Sequence, residues 1–406
     1  MKIAYLCEPQ LGGTYTFFKI LRPLLRERGI EFVCVSEASS DWLANSRFAG
    51  DDGVICASIP QNKPLPDQTR HLIRFLEEHS FQAIVVLPGC SLLTSNLPRY
   101  LPRSMKCFVR VPMMTRGAYA PTCAIQKHVN GILAISDRIQ SDLIRQYGVP
   151  RDLIHTIWHG VAASPESVWK PHKSSSPPFR LLYAGRLTDL DKGVFLLPDI
   201  MRHLVQNGGS SKLTILGTGE DGDKLKQKFE NAGLLDCVDF GGKRSTTEMP
   251  DIYRNSDILL LPSRFEGCGF SLLEAMAEGC APVASDIQGS VRTILDHGRA
   301  GKLARVGDAR AFAQAILEWE HNPRTLANMQ QAAHHRTCTE YPLAKMGDAY
   351  ASVFLSSNQT PDVRDAQIPL EKYALPAGLR PTWRTLIPRP VKNWARTWLE
   401  RFSIST

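Results

Sequence analysis

Twice along this chain, short apolar segments of strand length alternate with segments of helical periodicity. In the first half the apolar segments are 2–8, 31–36, 83–89, 106–111, 131–136 and 154–160. In the second half they are 179–186, 212–219, 238–242, 257–263, 281–286 and 300–304. Strands that alternate with helices pair in parallel, and helices then cover both faces of the sheet. The sequence therefore predicts two doubly wound α/β domains.

A polar segment separates the two series. Residues 163–178 are rich in Ser and Pro and have no apolar periodicity, which is typical of a linker. The chain has 406 residues, and a domain usually has about 100 to 200. We therefore expect an N-terminal domain at 1–162, a C-terminal domain at 179–342, and a late helix with a basic tail at 343–406.

Composition narrows the class of protein. Hydrophobic residues make up 43% and charged residues 22% of the chain, and no apolar run has the length of a membrane span. The N-terminus lacks the features of a secretion signal, so we expect a cytoplasmic protein. The ten cysteines show no CxxC spacing, which argues against a zinc or redox site. The net charge of +8 favours an anionic partner.

Two basic residues follow the first strand of the second series. Arg186 stands directly after that strand, and Lys192 lies six residues later, before a helix predicted to start near Val194. A guanidinium, an ammonium and the free amides of a helix N-terminus together suit a diphosphate. Taken alone, the pair is equally consistent with two exposed basic residues in a turn.

The most specific pattern is a glycine-rich turn that follows strand segment 257–263. Gly267 and Gly269 allow the backbone to come close to a ligand. A helix predicted to begin near Phe270 directs its free amides toward the same point. The pattern therefore predicts a site where backbone amides meet a bound anion.

Two carboxylates flank this turn. Glu266 precedes it, and Glu274 lies inside the first turns of the predicted helix. Carboxylate oxygens accept hydrogen bonds from sugar hydroxyls. One carboxylate is therefore suited to a hexose and the other to a ribose, whereas a capped helix with an exposed glutamate is the simpler alternative.

These residues together resemble the retaining glycosyltransferases of family 4. The resemblance rests on Gly185-Arg186 with Lys192-Gly193, on Pro262-Ser263, and on Glu266 with Glu274, and it covers most of 179–342. It implies the GT-B fold, an α/β architecture of two Rossmann-like domains that face each other across a cleft. In that family the C-terminal domain binds a nucleotide sugar and the N-terminal domain holds the acceptor.

The resemblance also implies roles for individual residues. Arg186 and Lys192 would bind the donor diphosphate, Glu266 would contact the donor sugar, and Glu274 would hold the ribose. Further donor contacts are implied for backbone groups at Gly267, Cys268, Gly269, Phe270 and Ser271, and for the loop of Gly12 and Gly13. No metal and no separate cofactor are implied, because the nucleotide sugar, UDP- or GDP-linked, is itself a substrate and the basic groups supply positive charge.

The N-terminal half departs from the family pattern at two positions. Many relatives have a histidine after the strand that 106–111 resembles, but Arg110 and its neighbours stand here. We interpret Arg110 either as an acceptor-side cation or as a structural residue. His159 occupies the place of a recurrent Asn-Gly-Val-Asp segment, and we expect a hinge residue there in preference to an acceptor-side base.

A second motif favours a different enzyme class. Residues 217–222 match GxGxxG after a strand and before a helix, which is the pattern of an NAD-binding turn. The glycosyltransferase family has a similar turn, so we expect Gly217 and Gly219 to line the nucleobase pocket. An NAD-dependent oxidoreductase that uses this turn stays one alternative. A non-enzymatic protein that binds anionic surfaces, based on the net charge of +8 and the basic tail, stays the other. A nucleic-acid-binding protein is not expected, because the domains show no string of basic and aromatic residues.

The C-terminal region carries a concentrated positive charge. Six basic residues and one glutamate lie between 378 and 406, and 388–402 has an apolar face opposite its basic residues. Two interpretations stay open: a helix packed on the protein body, or an amphipathic helix on an anionic membrane surface. The basic helix predicted at 14–28 would add to such a surface. The expected partners are thus a nucleotide sugar, a glycan or glycolipid acceptor, and an anionic inner membrane face under the second interpretation.

Overall fold

The computed structural model describes residues 1–10, 12–163, 177–357, 362 and 364–380. Within these ranges the chain forms two compact units. Unit 1 comprises Met1–Trp158 and a C-terminal segment that begins at Ala344, and unit 2 comprises His159–Leu343. Most of the predicted linker and the whole predicted tail helix at 388–402 lie outside the described residues.

Unit 1 is built on a parallel sheet with helices between its strands. Its seven strands have the order β3-β2-β1-β4-β5-β6-β7. The strands are β1 (Lys2–Leu6), β2 (Glu31–Ser36), β3 (Val54–Cys56), β4 (Ala83–Val86), β5 (Lys106–Val111), β6 (Gly131–Ala134) and β7 (Ile154–Thr156). The helices are α1 (Gly13–Arg26), α2 (Ser40–Ala44), α3 (Leu65–Glu78), α4 (Leu92–Asn96), α5 (Arg116–Ile125) and α6 (Asp137–Tyr147).

Unit 2 repeats this architecture with a parallel sheet of six strands. Their order is β10-β9-β8-β11-β12-β13. The strands are β8 (Arg180–Ala184), β9 (Lys212–Leu216), β10 (Val238–Gly242), β11 (Ile258–Leu261), β12 (Ala281–Ser285) and β13 (Lys302–Ala304). The helices are α7 (Asp189–Lys192), α8 (Leu196–Gln206), α9 (Gly222–Asn231), α10 (Met249–Arg254), α11 (Phe270–Ala277), α12 (Val291–Ile294), α13 (Ala309–His321) and α14 (Pro323–Glu340). The prediction of two doubly wound α/β domains is confirmed.

The final described helix, α15 (Leu343–Ser356), completes the core of unit 1. The ring of Phe354 is fully buried and lies 5.0 Å from the ring of Phe108 in β5, measured between centroids. The ring of Tyr350 lies 5.4 Å from that of Phe17 in α1. Because these aromatic contacts join the two ends of the sequence, unit 1 is discontinuous in the chain.

A strap, residues 364–380, follows α15 along unit 1. Tyr373 stacks on Tyr100 with 4.7 Å between ring centroids, and the Arg99 guanidinium donates to the Ala374 carbonyl at 2.5 Å. The Ile368 amide in turn donates to the Arg99 carbonyl at 2.9 Å. The strap therefore adds hydrogen bonds as well as aromatic packing to unit 1.

The basic residues of α1 and of the turn that follows it are paired within unit 1. Lys19 lies 3.7 Å from Asp51, Arg22 and Arg26 lie 2.9 and 3.1 Å from Asp52, and Arg28 lies 2.7 Å from Asp348. These aspartates offset the positive charge that the sequence suggested for 14–28. In the described part of the chain, moreover, none of the helices combines the length and the apolarity that a bilayer span requires.

Both sheets reverse their strand order beside the first strand. The reversal lies between β1 and β4 in unit 1 and between β8 and β11 in unit 2. In open parallel sheets, ligands bind outside the carboxyl ends of the strands at this point. In unit 2, a ligand site is therefore expected at the loops that follow β8 and β11.

Candidate active site

The loops after β8 and β11 bring together the basic and acidic residues that the sequence singled out. Lys192 ends the short helix α7, and Glu266 lies in the loop after β11. The Lys192 Nζ atom donates to Glu266 Oε2 at 2.7 Å. Ser263 donates its hydroxyl to the same oxygen at 3.3 Å. Both members of the ion pair are largely buried, so their orientation is fixed by packing as well as by charge.

Arg186 lies on the exposed side of the same loop. Its guanidinium donates to Asp191 Oδ2 at 2.5 Å, and 62% of the side chain is exposed. Thr188 donates its hydroxyl to the other oxygen of Asp191 at 2.8 Å. An exposed ion pair is weak in water, so an anionic ligand can compete with Asp191 for Arg186.

The two loops are tied to each other by backbone contacts. The Asp191 carbonyl accepts hydrogen bonds from the amides of Arg264 at 2.8 Å and Phe265 at 3.3 Å. Gly193 has a positive φ of 63°, and a Cβ atom there would lie only 2.3 Å from the Pro262 carbonyl oxygen. Only glycine allows this approach. The loop that carries Lys192 and the loop that carries Glu266 therefore form one rigid assembly.

Helix α11 starts within this assembly. Its N-cap is Gly269, with a positive φ of 67°, and no side chain caps the helix. The first amides of a helix have no partner inside it and carry partial positive charge. The predicted backbone set from Gly267 to Ser271 thus lies at an amide-rich turn beside Lys192 and Glu266. The ring of Phe270 packs on that of His159, with 4.0 Å between centroids.

Glu274 lies one turn further along α11 and is oriented by a tyrosine. The Tyr253 hydroxyl donates to Glu274 Oε2 at 3.1 Å. Burial raises the pKa of Glu274 above its ordinary value, and the hydrogen bond from Tyr253 opposes that rise. Its carboxyl group is therefore less acidic than that of an exposed glutamate. A further hydrogen-bond donor, such as a sugar hydroxyl, would stabilise its charged form.

The GxGxxG motif has a local structural explanation. A Cβ atom on Gly217 would lie 1.8 Å from the Gly185 carbonyl oxygen, and one on Gly219 would lie 2.3 Å from the Leu187 carbonyl oxygen. Both glycines thus let the loop after β9 pack against the loop after β8. This packing accounts for the motif without a dinucleotide, and the role of these glycines in a nucleobase pocket stays a prediction.

The predicted residues of unit 1 have different surroundings. Gly12 has a φ of 153° and open space where a side chain would be, and Gly13 begins α1. Arg110 is buried in β5, with its guanidinium carbon 3.7 Å from the centre of the Phe17 ring. A direct contact between Arg110 and an acceptor would require that ring to move, so the acceptor-side role stays a prediction. His159, in unit 2, is buried against Phe270 as described above.

Sequence analysis missed several groups that support the site through hydrogen bonds. Their signal is weak, because they act on backbone atoms or on one predicted residue, and no pattern in the sequence marks these contacts. They are Asp191, Tyr253 and Ser290. Within the described ranges, no group of three or more His, Cys, Asp or Glu side chains is arranged to hold a metal ion.

Comparison with known proteins relates unit 2 to one enzyme family. Residues 167–336 match the model of the glycosyl transferases group 1 family. The chain is 31% identical over 216 residues to the amylovoran biosynthesis glycosyltransferase AmsK of Erwinia amylovora, covering 52% of each chain. It is 30% identical over 191 residues to the putative colanic acid biosynthesis glycosyltransferase WcaL of Escherichia coli K12, covering 46% of each. The chain thus spans about half the length of these curated relatives.

Solved structures share the fold of most of the chain. A glycosyltransferase from Rickettsia africae has a TM-score of 0.70 at 16% identity and covers 89% of this chain and 99% of its own. HepE of Anabaena, solved in complex with UDP and glucose, has a TM-score of 0.69 at 17% identity and covers 88% of this chain and 100% of its own. From this shared architecture we conclude that the chain has the two-domain Rossmann-like GT-B fold, and that its residues 167–336 are similar to the glycosyl transferases group 1 family.

Proposed function

We propose that this protein is a retaining, metal-independent glycosyltransferase of family 4. It transfers a hexose from a UDP- or GDP-linked sugar to a hydroxyl group of a glycan or glycolipid. The observation that carries the proposal is the contact of Lys192 with Glu266, 2.7 Å long, beside Arg186 at the strand-order reversal of unit 2. That arrangement offers cations for a diphosphate and a carboxylate for a sugar within one rigid assembly.

Each charged group has a distinct task in this mechanism. Arg186 exchanges Asp191 for the donor diphosphate, and Lys192 adds a second positive charge. Together they stabilise the negative charge that grows on the diphosphate as its bond to the sugar breaks. Glu266 accepts a hydrogen bond from a hydroxyl of the hexose. Glu274, oriented by Tyr253, accepts one from the ribose.

Retention of configuration needs no protein nucleophile in this proposal. The acceptor oxygen attacks the anomeric carbon from the face that the diphosphate leaves. The C–O bond to the diphosphate breaks, the bond to the acceptor oxygen forms, and the acceptor proton passes to a phosphate oxygen of the leaving group. Lys192 and Arg186 then hold a product whose charge is partly neutralised by that proton.

The comparisons favour particular substrates. HepE was solved with UDP and glucose, which supports a nucleoside diphosphate sugar as donor. AmsK and WcaL are named for the biosynthesis of amylovoran and colanic acid, which supports a glycan as acceptor. A cytoplasmic enzyme at the inner membrane face would meet a glycolipid acceptor there, and we include that location in the proposal.

Thermal unfolding with UDP, GDP, ADP and NADH tests the proposed donor site. A ligand that binds only the native state stabilises it by about 2.7 kcal/mol at a hundred times its dissociation constant. We expect one diphosphate to raise the Tm of the wild type and to raise that of Glu274→Ala less. A rise with NADH alone would support the oxidoreductase alternative, and no rise with any of the four would contradict the proposal.

A further inference from the structure

We propose that Ser290 is a positioning residue of the donor site. Its hydroxyl sets the orientation of the peptide group that follows Glu266, so that the Gly267 amide faces the diphosphate of the donor. This inference rests on the proposed function, because it assigns the neighbouring ligand from the glycosyltransferase site. It adds a residue that lies 24 positions from Glu266 in the sequence and belongs to a different loop.

The contacts of Ser290 are made with two successive carbonyl groups. Its Oγ atom donates to the Glu266 carbonyl at 2.6 Å and lies 3.1 Å from the Gly267 carbonyl. A hydroxyl has one proton, so the two carbonyl oxygens share it. Ser290 itself is fully buried. A buried hydrogen bond of this kind resists exchange with water and holds both carbonyls on the same side of the chain.

Ser290 does not use this hydroxyl for its own helix. It is the N-cap residue of α12, a position where serine commonly accepts a hydrogen bond from the helix amides. No side-chain capping bond is formed there. The preceding Gly289 has a positive φ of 67°, which turns the chain before the serine. The hydroxyl is thus directed to the Glu266 loop instead of to the helix that it precedes.

The planar geometry of the peptide group gives the consequence for the amides. In a trans peptide the carbonyl and the following N–H point in opposite directions. With the Glu266 carbonyl turned toward Ser290, the Gly267 amide points away from it. Since Ser290 is fully buried and Gly267 is half-exposed, the Gly267 amide points toward the accessible side of the loop. Among the described residues no acceptor is found for that amide.

This geometry predicts an effect on phosphate binding that loss of stability alone would not produce. Without the Ser290 hydroxyl, the peptide group between Glu266 and Gly267 loses the hydrogen bond that orients it, and the Gly267 amide is no longer held toward the diphosphate. Binding of a nucleoside diphosphate then weakens. Binding of the corresponding nucleoside, which has no phosphates, stays the same.

The test is calorimetric titration of four proteins with UDP, GDP and ADP and with their nucleosides. The variants are Ser290→Ala, Ser290→Thr and the control Ser211→Ala. Ser211 is also buried and bonds the backbone, since its Oγ atom accepts from the Phe179 amide at 3.1 Å. Ser211 precedes β9, whereas Ser290 follows β12. The two serines therefore lie at opposite ends of the parallel strands. Removal of the Ser211 hydroxyl reports the effect of losing a buried serine elsewhere in unit 2.

We expect Ser290→Ala to bind the preferred diphosphate about tenfold more weakly, which corresponds to about 1.4 kcal/mol for a lost hydrogen bond. Ser290→Thr keeps the hydroxyl and should stay within about threefold of the wild type. Ser211→Ala should bind as the wild type does. Diphosphate affinity unchanged in Ser290→Ala, or equal weakening of the nucleoside, would overturn the inference.

Two further outcomes keep the inference apart from the proposed function. If the wild type binds none of the three diphosphates, the proposed function fails, whatever Ser290 does. If Ser290→Ala does not fold, Ser290→Cys fills the same space with a weaker donor. Its diphosphate affinity should then lie below that of the threonine variant, and equal affinities of the two would overturn the inference.

Discussion

Lys192 and Glu266 are in direct contact, and the surrounding residues explain how a buried carboxylate is stabilised there. Burying a carboxylate is costly unless a cation and further donors accompany it. Glu266 has both, since Lys192 Nζ lies at 2.7 Å and the Ser263 hydroxyl at 3.3 Å. The Glu266 carboxylate is therefore held in a fixed orientation by its neighbours.

Replacing Glu266 by alanine should lower turnover by about 100-fold or more, because contacts that act in the transition state are worth that much. The fold should be kept, since Lys192 can reach water. The matched control is Glu278→Ala, which removes a buried glutamate that pairs with Arg254 at 2.8 Å at the C-terminal end of α11. Initial rates with the preferred donor and circular dichroism measure both effects. Transfer near the wild-type rate in Glu266→Ala would contradict its role.

Glu274 gives the site a pH dependence. Burial raises the pKa of this carboxyl group, and the Tyr253 hydrogen bond opposes the rise. Nucleotide affinity should therefore fall as the pH drops, and the fall should begin at a higher pH than the pKa of an ordinary glutamate would give. In Tyr253→Phe the pKa rises further, and the midpoint of the affinity profile should move to higher pH. A midpoint that stays or moves down would exclude the assigned ribose contact.

The raised pKa of Glu274 also affects the stability of the fold. Because this pKa is higher in the folded state than in the unfolded state, the folded state binds more protons at pH values between the two pKa values. The free energy of unfolding then decreases as the pH rises through that range, and this loss of stability remains at neutral pH. Glu274→Gln should consequently melt at a higher temperature at pH 7 while it binds the nucleotide more weakly.

At the scale of elements, the strand order explains how much of the site was predictable. Arg186, Lys192, Glu266 and Glu274 follow or flank strands that are neighbours in the sheet, so strand prediction alone brings them to one edge. β3 was missed because it has only three residues, none of them buried, at the edge of its sheet.

The contacts of Ser290 and Asp191 could not be predicted in the same way. They join loops through carbonyl and amide groups, which every residue has. The pattern of side chains along the sequence therefore holds no signal for them. Gly217 and Gly219 are a similar case, because their close contacts are with backbone carbonyl groups. They match a dinucleotide motif in the sequence, but in the structure they allow two loops to pack against each other.

Gly193 tests the rigid connection between the loops after β8 and β11. Gly193→Ala would place a methyl group 2.3 Å from the Pro262 carbonyl in addition to straining the backbone at φ 63°. Gly233→Ala is the matched control, since Gly233 has a φ of 67° but open space around it. We expect the control to lose about 1 kcal/mol of unfolding free energy and Gly193→Ala about 2 kcal/mol more. Equal losses in chemical denaturation would show that the loops separate freely.

At the scale of the whole chain, unit 1 depends on both ends of the sequence. The buried ring of Phe354 in α15 packs on strands β2 and β5, and the strap continues across unit 1 to Arg380. Residues 381–406, which follow the strap in the sequence, lie outside the described part of the chain. Those residues carry five basic side chains against one glutamate.

Removing residues 381–406 distinguishes the two interpretations of this tail. Each basic side chain near an anionic bilayer contributes about 1 kcal/mol, and salt screens that attraction. Because aspartates already offset the basic residues of α1, the tail should supply most of the attraction. We therefore expect the truncated protein to sediment less with phosphatidylserine vesicles at low salt, with the difference lost at high salt and the Tm unchanged. Unchanged sedimentation together with a lower Tm would instead mean that the tail packs on the protein, and the membrane location would then have to rest on the acceptor alone.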